Sequence, residues 1–261
     1  MIALAAGLIA AATSAAPSYG NSLLDGMHIR HPEIANAQIT IANDKGPLIV
    51  FEGRWNVKPK TVEQRVLLDA NGNDIGTIVL GSLCSSFTNA EVVANELSRR
   101  IYSPASLSDP DPFVAGAIRA PLAQAMIDDA LAHDLTIITL AFHVTPPGGR
   151  ANSIVASSFG RIGKPADADD ARIIHEGTTV KETTNNGRRL AVELPLLDSQ
   201  RRIIGALSTS FRLGAGTAEL EIEKRAVELR DKLSRRTPSI KALFRPATAS
   251  RQVRALSTCH R

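Results

Sequence analysis

Aromatic residues are few: Phe, Trp and Tyr together make up 4% of the 261 residues, with one Trp. That scarcity argues against the aromatic stacking surface used by many single-strand binders, and nucleic acid is not expected as a partner. Cysteine is scarcer still, with only Cys84 and Cys259. Two cysteines allow one disulfide at most, in an oxidising compartment, and the position of Cys259, third from the end, argues against an obligatory bridge. HExxH, GxSxG, the Walker loop, GxGxxG and CxxCH are all missing. Their absence leaves no signature of a zincin, an α/β-hydrolase, a nucleotide binder or a c-type haem protein. Gly214-Ala215-Gly216 is too brief to cradle a phosphate. His28 and His31, three apart and near Glu33, lack a fourth ligand by spacing, so no metal and no cofactor are expected. Ser, His and Asp all occur, but without geometry they define no triad.

Long apolar runs are also missing after the first residues. Residues 1–16 carry no charged side chain and are mostly Ala, Leu and Ile, followed by Pro17 and Gly20. The run is shorter than the roughly 20 apolar residues that a membrane span needs. It fits the apolar core and small-residue cleavage zone of a secretory signal, although no basic residue precedes it. Residues 1–20 are therefore expected to be a signal peptide, and the protein to be periplasmic or secreted. What remains has an ordinary globular composition, 44% hydrophobic and 21% charged. The formal charge is +4, yet residues 224–261 hold eleven Lys/Arg against two Asp/Glu, so the rest of the chain carries about −5. Residues 244–261 read as a basic, flexible tail.

Two stretches of the chain echo each other. Leu67-Leu68-Asp69 is followed after five residues by Ile75-Gly76, and Leu196-Leu197-Asp198 after five residues by Ile204-Gly205. Each motif leads into a strand-like run and then an amphipathic helix. Leu97-Ser98-Arg99-Arg100 closes the first helix and Leu233-Ser234-Arg235-Arg236 the second. Two signatures in one order imply an internal duplication. The motif itself predicts a β-hairpin: apolar residues run into Asp, and Asn71-Gly72-Asn73 or Ser199-Gln200 makes the turn. Gly76 and Gly205, inside the return strands, mark a bulge or a close backbone approach.

Elsewhere, Asn89 and Thr217 are candidate caps for the two long helices, which Pro104 and Pro238 stop. A helix is expected near residues 32–38. Residues 113–133 read as Ala-rich helix kinked or split at Pro121. Strands are expected at 135–144, 152–157, 189–194 and 203–212, and a short helix at 167–175. The fold class is α/β of the α+β type. Residues 28–104 form a first, shorter unit and residues 105–243 a second, each an antiparallel sheet with flanking helices.

On three stretches the second unit resembles a PAS-like or Cache-type extracytoplasmic sensor domain. These are residues 152–157 with the loop Arg161-Ile162-Gly163-Lys164-Pro165-Ala166-Asp167, the hairpin Pro195-Leu196-Leu197-Asp198 with Ile204-Gly205-Ala206-Leu207, and the closing helix to Arg236. Residues 34–101 resemble it more faintly, which suggests a tandem arrangement. The resemblance implies a ligand against the sheet face, beneath the loop and short helix. Candidate ligand-binding residues there are Arg161, Lys164, Asp167, Asp169, Asp170 and His175, with His143 on a nearby strand. Arg161 and Lys164 suit a carboxylate; loop charges in water and helix capping by Asp167 or Asp169 are the plainer reading. Departures are the absence of flanking membrane helices and an output domain, and Ser199-Gln200-Arg201 where the family usually has a Gly.

The expectation is thus an exported, non-catalytic small-molecule binder or sensor, with an envelope or membrane signalling protein as a partner. The alternatives are a periplasmic structural or interaction protein that docks an envelope partner, and a hydrolase using His143 or His175 as base.

Overall fold

The computed structural model describes residues 17–41, 49–55, 58–87, 89–185, 187–214 and 216–247. The apolar run at 1–16 and the tail beyond 247 lie outside the described residues, so the signal-peptide reading and most of the basic tail fall outside as well. Two antiparallel sheets, one of four strands and one of five, make an α+β fold.

The first sheet is built from β1 (Ile34–Ile41), β2 (Ile49–Arg54), β3 (Thr61–Leu68) and β4 (Asp74–Ser82), in the order β2-β1-β4-β3. Helices α1 (Tyr19–Arg30) and α2 (Ala90–Ser98) cover one face. Leu24 and Met27 of α1 meet Ile39, Ile78 and Leu97 in one fully buried cluster. The expected helix at residues 32–38 is instead most of β1. Ala37, Ile39 and Ile41 alternate with the less buried Asn36, Gln38 and Thr40, and a period of two is a strand signature. The helix lies earlier, at Tyr19–Arg30, with Ser18 as its N-cap. Tyr19 is itself part of the first core.

The second sheet contains β5 (Ile137–Val144), β6 (Ser153–Ser157), β7 (Val180–Thr184), β8 (Arg189–Leu197) and β9 (Ile203–Arg212), ordered β6-β5-β9-β8-β7. One face packs on α3 (Pro121–His133) and α5 (Glu219–Arg235) through Met126, Ile127, Phe142, Leu207 and Leu233. Burying each such side chain contributes about 1.5–3 kcal/mol before entropy is counted. Residues 113–120 are not helical. Pro121 takes the first turn of α3, where its missing N–H is tolerated. Helix α4 (Ala168–Glu176) and the loop before it lie against the other face. A final turn, α6 (Ile240–Leu243), closes the described chain, and Phe244 packs against the second core.

The two sheets share one strand order, the second having β7 added at an edge. Their echoing hairpins match bond by bond. Asp69 N–H donates to Asn73 O at 2.9 Å, and Asp198 N–H to Arg202 O at 3.0 Å. Asp69 Oδ1 accepts the N–H groups of Asn71 and Asn73; Asp198 Oδ1 accepts those of Gln200 and Arg202. Left-handed backbone falls at Gly72 in one turn and at Arg201 in the other. Each turn then docks on the end of its helix, Ala70 N–H to Ile101 O and Ser199 N–H to Thr237 O.

Cys84, buried after β4, is disulfide-bonded; the sequence argued only against an obligatory bridge. The other cysteine of the chain, Cys259, lies outside the described residues.

Candidate functional site

Alternation along β5 separates two environments. Leu140, Phe142 and Val144 point into the core with α3 and α5, so Thr139, Ala141 and His143 point the opposite way. On β9 the same division sets Leu207 and Phe211 against Ser208 and Ser210, and on β8 it sets Val192 and Leu194 against Glu193. Register brings the polar residues together. Ser208 pairs with Ala141 on one side and Glu193 on the other, and Ser210 is the partner of Thr139. The Ser208 hydroxyl donates to Glu193 at 3.0 Å, and the Thr139 and Ser210 hydroxyls lie 2.5 Å apart. The result is a polar strip on a sheet face that is sheltered from solvent.

The cover comes from the segment after β6. Gly163 N–H donates to Ile154 O and Ile154 N–H to Lys164 O, so the segment zips back along the strand. Arg161 sits in left-handed backbone at φ 61°, within a turn closed by Lys164 N–H on Arg161 O. Its guanidinium is anchored on Asp109 at 2.9 Å. Asp167 caps α4 by accepting the N–H groups of Asp169 and Asp170, and Asp170 Oδ2 accepts the N–H of Asp167 in return. The same Oδ2 lies 2.9 Å from His143 Nδ1, a contact between the helix and the sheet.

Sheet, loop and helix enclose a cavity of about 160 Å³. Arg161, Lys164 and Arg189 contribute positive charge to its wall, and Asp167, Asp170 and Glu193 negative charge. Tyr102 arrives from the first unit and stacks under the Arg189 guanidinium, 4.6 Å from the ring centre. Burial pushes the Glu193 carboxyl up, helped by the charges of Asp170 and Asp167 and opposed by Ser208 and His143. Burial alone would raise Asp170 too. There the contact with His143, the Asp167 N–H and the Lys164 charge outweigh it, and the carboxyl is held below its usual range. His143 Nδ1, Asp170 Oδ1 and Arg189 Nε are buried without a well-aligned hydrogen-bond partner. The His143–Asp170 contact is short but poorly angled. Orphaned polar atoms of this kind are uncommon inside proteins and call for an explanation.

Of the residues singled out from the sequence, His143, Arg161, Lys164, Asp167 and Asp170 meet at this cavity. Asp169 and His175 do not line it. Asp169 pairs with Arg172 at 2.8 Å on the outer side of α4, and His175 is exposed in the last turn. Sequence reasoning missed Tyr102, Thr139, Arg189, Glu193 and Ser208. Four of these had a signal, since they are polar positions alternating with Leu, Val or Phe in strands too apolar to be surface. Tyr102 had none, because a contact between units leaves no local trace.

His28, which stacks on Trp55, and His31, which pairs with Glu96, hold separate places. Among the described residues no group of His, Cys, Asp or Glu is arranged to hold a metal ion. Among the same residues no helix is long and apolar enough to cross a membrane. No protein-family model and no curated protein matches the chain.

Proposed function

We propose that the chain is an exported small-molecule-binding or sensing protein of PAS/Cache type, whose ligand lies over the second sheet beneath α4. The observation that carries this reading is the cavity itself: six charged side chains and His143 line about 160 Å³. Small-molecule sites are concave and use a few convergent polar groups to fix orientation. The volume suits a compact polar metabolite. A non-catalytic role fits the hydrogen bonding, because the Ser208 hydroxyl is directed at Glu193 and not at an imidazole base. The apolar run at residues 1–16 supports export. The common strand order and matched turns of the two sheets support a tandem arrangement.

The test is a thermal-shift screen of purified protein against a panel of polar metabolites, repeated with Glu193→Gln and Lys164→Gln. A ligand that binds the native state stabilises it by mass action, so a true ligand raises the melting temperature in proportion to its concentration. The shift should disappear in at least one variant. A panel without hits, or hits indifferent to both substitutions, removes the reading.

One observation favours docking a protein partner instead. The face of the first sheet away from α1 and α2 has no cover among the described residues, and Val50, Val62 and Val66 are 45%, 60% and 56% exposed there. Retention of a partner by the wild type and its loss in Val62→Lys would support that role.

A further inference from the structure

A second cavity, of about 190 Å³, lies where α1, the segment after α2, residues 111–119 and α3 meet. It shares a wall with the first: Phe159 and Arg161 face one cavity, Gly160 and Ile162 the other. Its lining is rich in cationic donors. Arg30, Arg100 and Arg119 contribute guanidinium groups, and the carboxylates there, Asp111 and Asp128, are already engaged. Arg100 pairs with Asp128 at 2.9 Å and Arg119 with Asp111 at 2.8 Å. Arg30 uses its Nε on Glu96, which leaves its Nη2 buried with no acceptor. A charged donor in that state is costly unless something accepts from it. Arg119 is half exposed and spends one nitrogen on Asp111, so the rest of its fork is available. The Gln124 amide is fully committed to Ser157 and Asp128 and does not compete.

Gly26 gives the same indication from the backbone. Glycine inside a helix is unfavourable relative to alanine, yet Gly26 lies in the interior of α1 and lines this cavity. A Cβ there would be 3.3 Å from Arg30 Nη1, close enough that the guanidinium would have to give by a few tenths of an ångström. The missing side chain leaves room for the Arg30 guanidinium beside the helix.

We propose that this second cavity binds a small oxyanion, gripped between Arg30 and Arg119 at the junction of the two units. A guanidinium fork matches the geometry of carboxylate and phosphate oxygens, and the half-exposed Arg119 keeps donors free for one. The inference is independent of what occupies the cavity over the second sheet.

Isothermal titration of the purified full chain with inorganic phosphate and, separately, with acetate, at fixed ionic strength, tests it. Saturable binding of one or both is expected; phosphate alone identifies a tetrahedral oxyanion, and acetate a carboxylate. Arg119→Gln and Gly26→Ala should each weaken that binding at least tenfold. Gly26→Ala should melt no lower than the wild type, since alanine favours the helix, which separates loss of the site from loss of the fold. Lys164→Gln, altered only at the first cavity, should keep the affinity within twofold. No saturable heat with either anion, unchanged affinity in Arg119→Gln and Gly26→Ala, or loss confined to Lys164→Gln would overturn the proposal.

Discussion

Gly205 of β9 lies so close to His143 of β5 that a Cβ on it would sit 2.1 Å from the His143 carbonyl oxygen. Its counterpart Gly76 has the same relation to Thr40, also at 2.1 Å. In both sheets a glycine lets the return strand of the echoing hairpin approach its neighbour. Gly205→Ala should therefore push β5 away at the residue that holds α4. Overpacking of this kind costs about 1–3 kcal/mol, sometimes more. Gly76→Ala should cost at least as much, because Gly76 also has φ 145°, a conformation L-residues avoid. Urea midpoints of the two variants check this. Midpoints equal to the wild type would show that the strands are not held at this spacing.

Asp198 makes a second structural prediction. Its fully buried carboxylate accepts from Gln200 N–H, Arg202 N–H and Arg202 Nε. Burial would raise its pKa, but the Arg202 side chain and the two backbone donors outweigh that and hold it below the usual carboxylate value. A depressed acid adds stability that is fully present above its unfolded pKa and is lost as pH falls through the folded one. Asp198→Asn should thus lower stability at neutral pH and flatten the acid limb of a stability-against-pH curve. Asp198→Ala should cost about 1.5–3 kcal/mol, because the turn loses the charged acceptor of three hydrogen bonds. Asp69→Ala, in the matching turn, should behave alike.

These hairpins were legible in the sequence because their information is local: an Asp, a turn and a glycine at fixed spacing. The strand at 203–212 was read to the residue for the same reason. β1 replaces the helix expected at residues 32–38: Ala35 and Ala37 suit either state, and the period of two from Asn36 to Ile41, fixed by pairing with β2 and β4, decides. At the site, the loop from Arg161 to Asp167 and the strand of His143 were legible. Asp169 and His175 were drawn in by proximity along the chain, but the phase of α4 turns them outward while it turns Asp170 in. Tyr102 and Arg189 meet across 87 residues, and no window along the sequence contains both.

Glu193 is the site residue whose replacement separates stability from binding most cleanly. Its carboxyl is pushed up by burial and by Asp170 and Asp167. A raised acid favours folding when protonated, so this contribution falls as pH rises from the ordinary glutamate value through the raised one. Glu193→Gln keeps the shape and an acceptor for Ser208 without the buried charge. Stability near neutral pH should be unchanged or higher by about 1 kcal/mol, while metabolite-induced thermal shifts should fall. A marked loss of stability in this variant would mean that the carboxylate is structurally required and that the polar strip serves the fold.

The clasp between α1 and α2 gives a pH window of its own. His31 Nε2 lies 2.8 Å from Glu96 Oε2, His31 Nδ1 is 3.5 Å from Glu33, and Arg30 pairs with the same Glu96. Burial would raise Glu96, but His31, Arg30 and Arg100 outweigh it and bring the carboxyl down to about 2 from an ordinary 4.5. Burial would lower His31, but Glu96 and Glu33 outweigh it and hold the imidazole above its ordinary 6.5. The Glu96 contribution is complete above 4.5 and fades as pH drops toward 2. The His31 contribution is complete below 6.5 and fades as pH climbs through the raised folded value. Both act fully only between those limits, so the clasp is strongest in weak acid. Denaturation at about pH 5.5 and about pH 8 should show the wild type losing more of its urea midpoint than His31→Gln on the alkaline side. Glu96→Gln should remove most of that difference, because His31 then has no strong partner to hold its proton. Identical pH dependence in the wild type and both variants would show that the three groups do not act as a clasp.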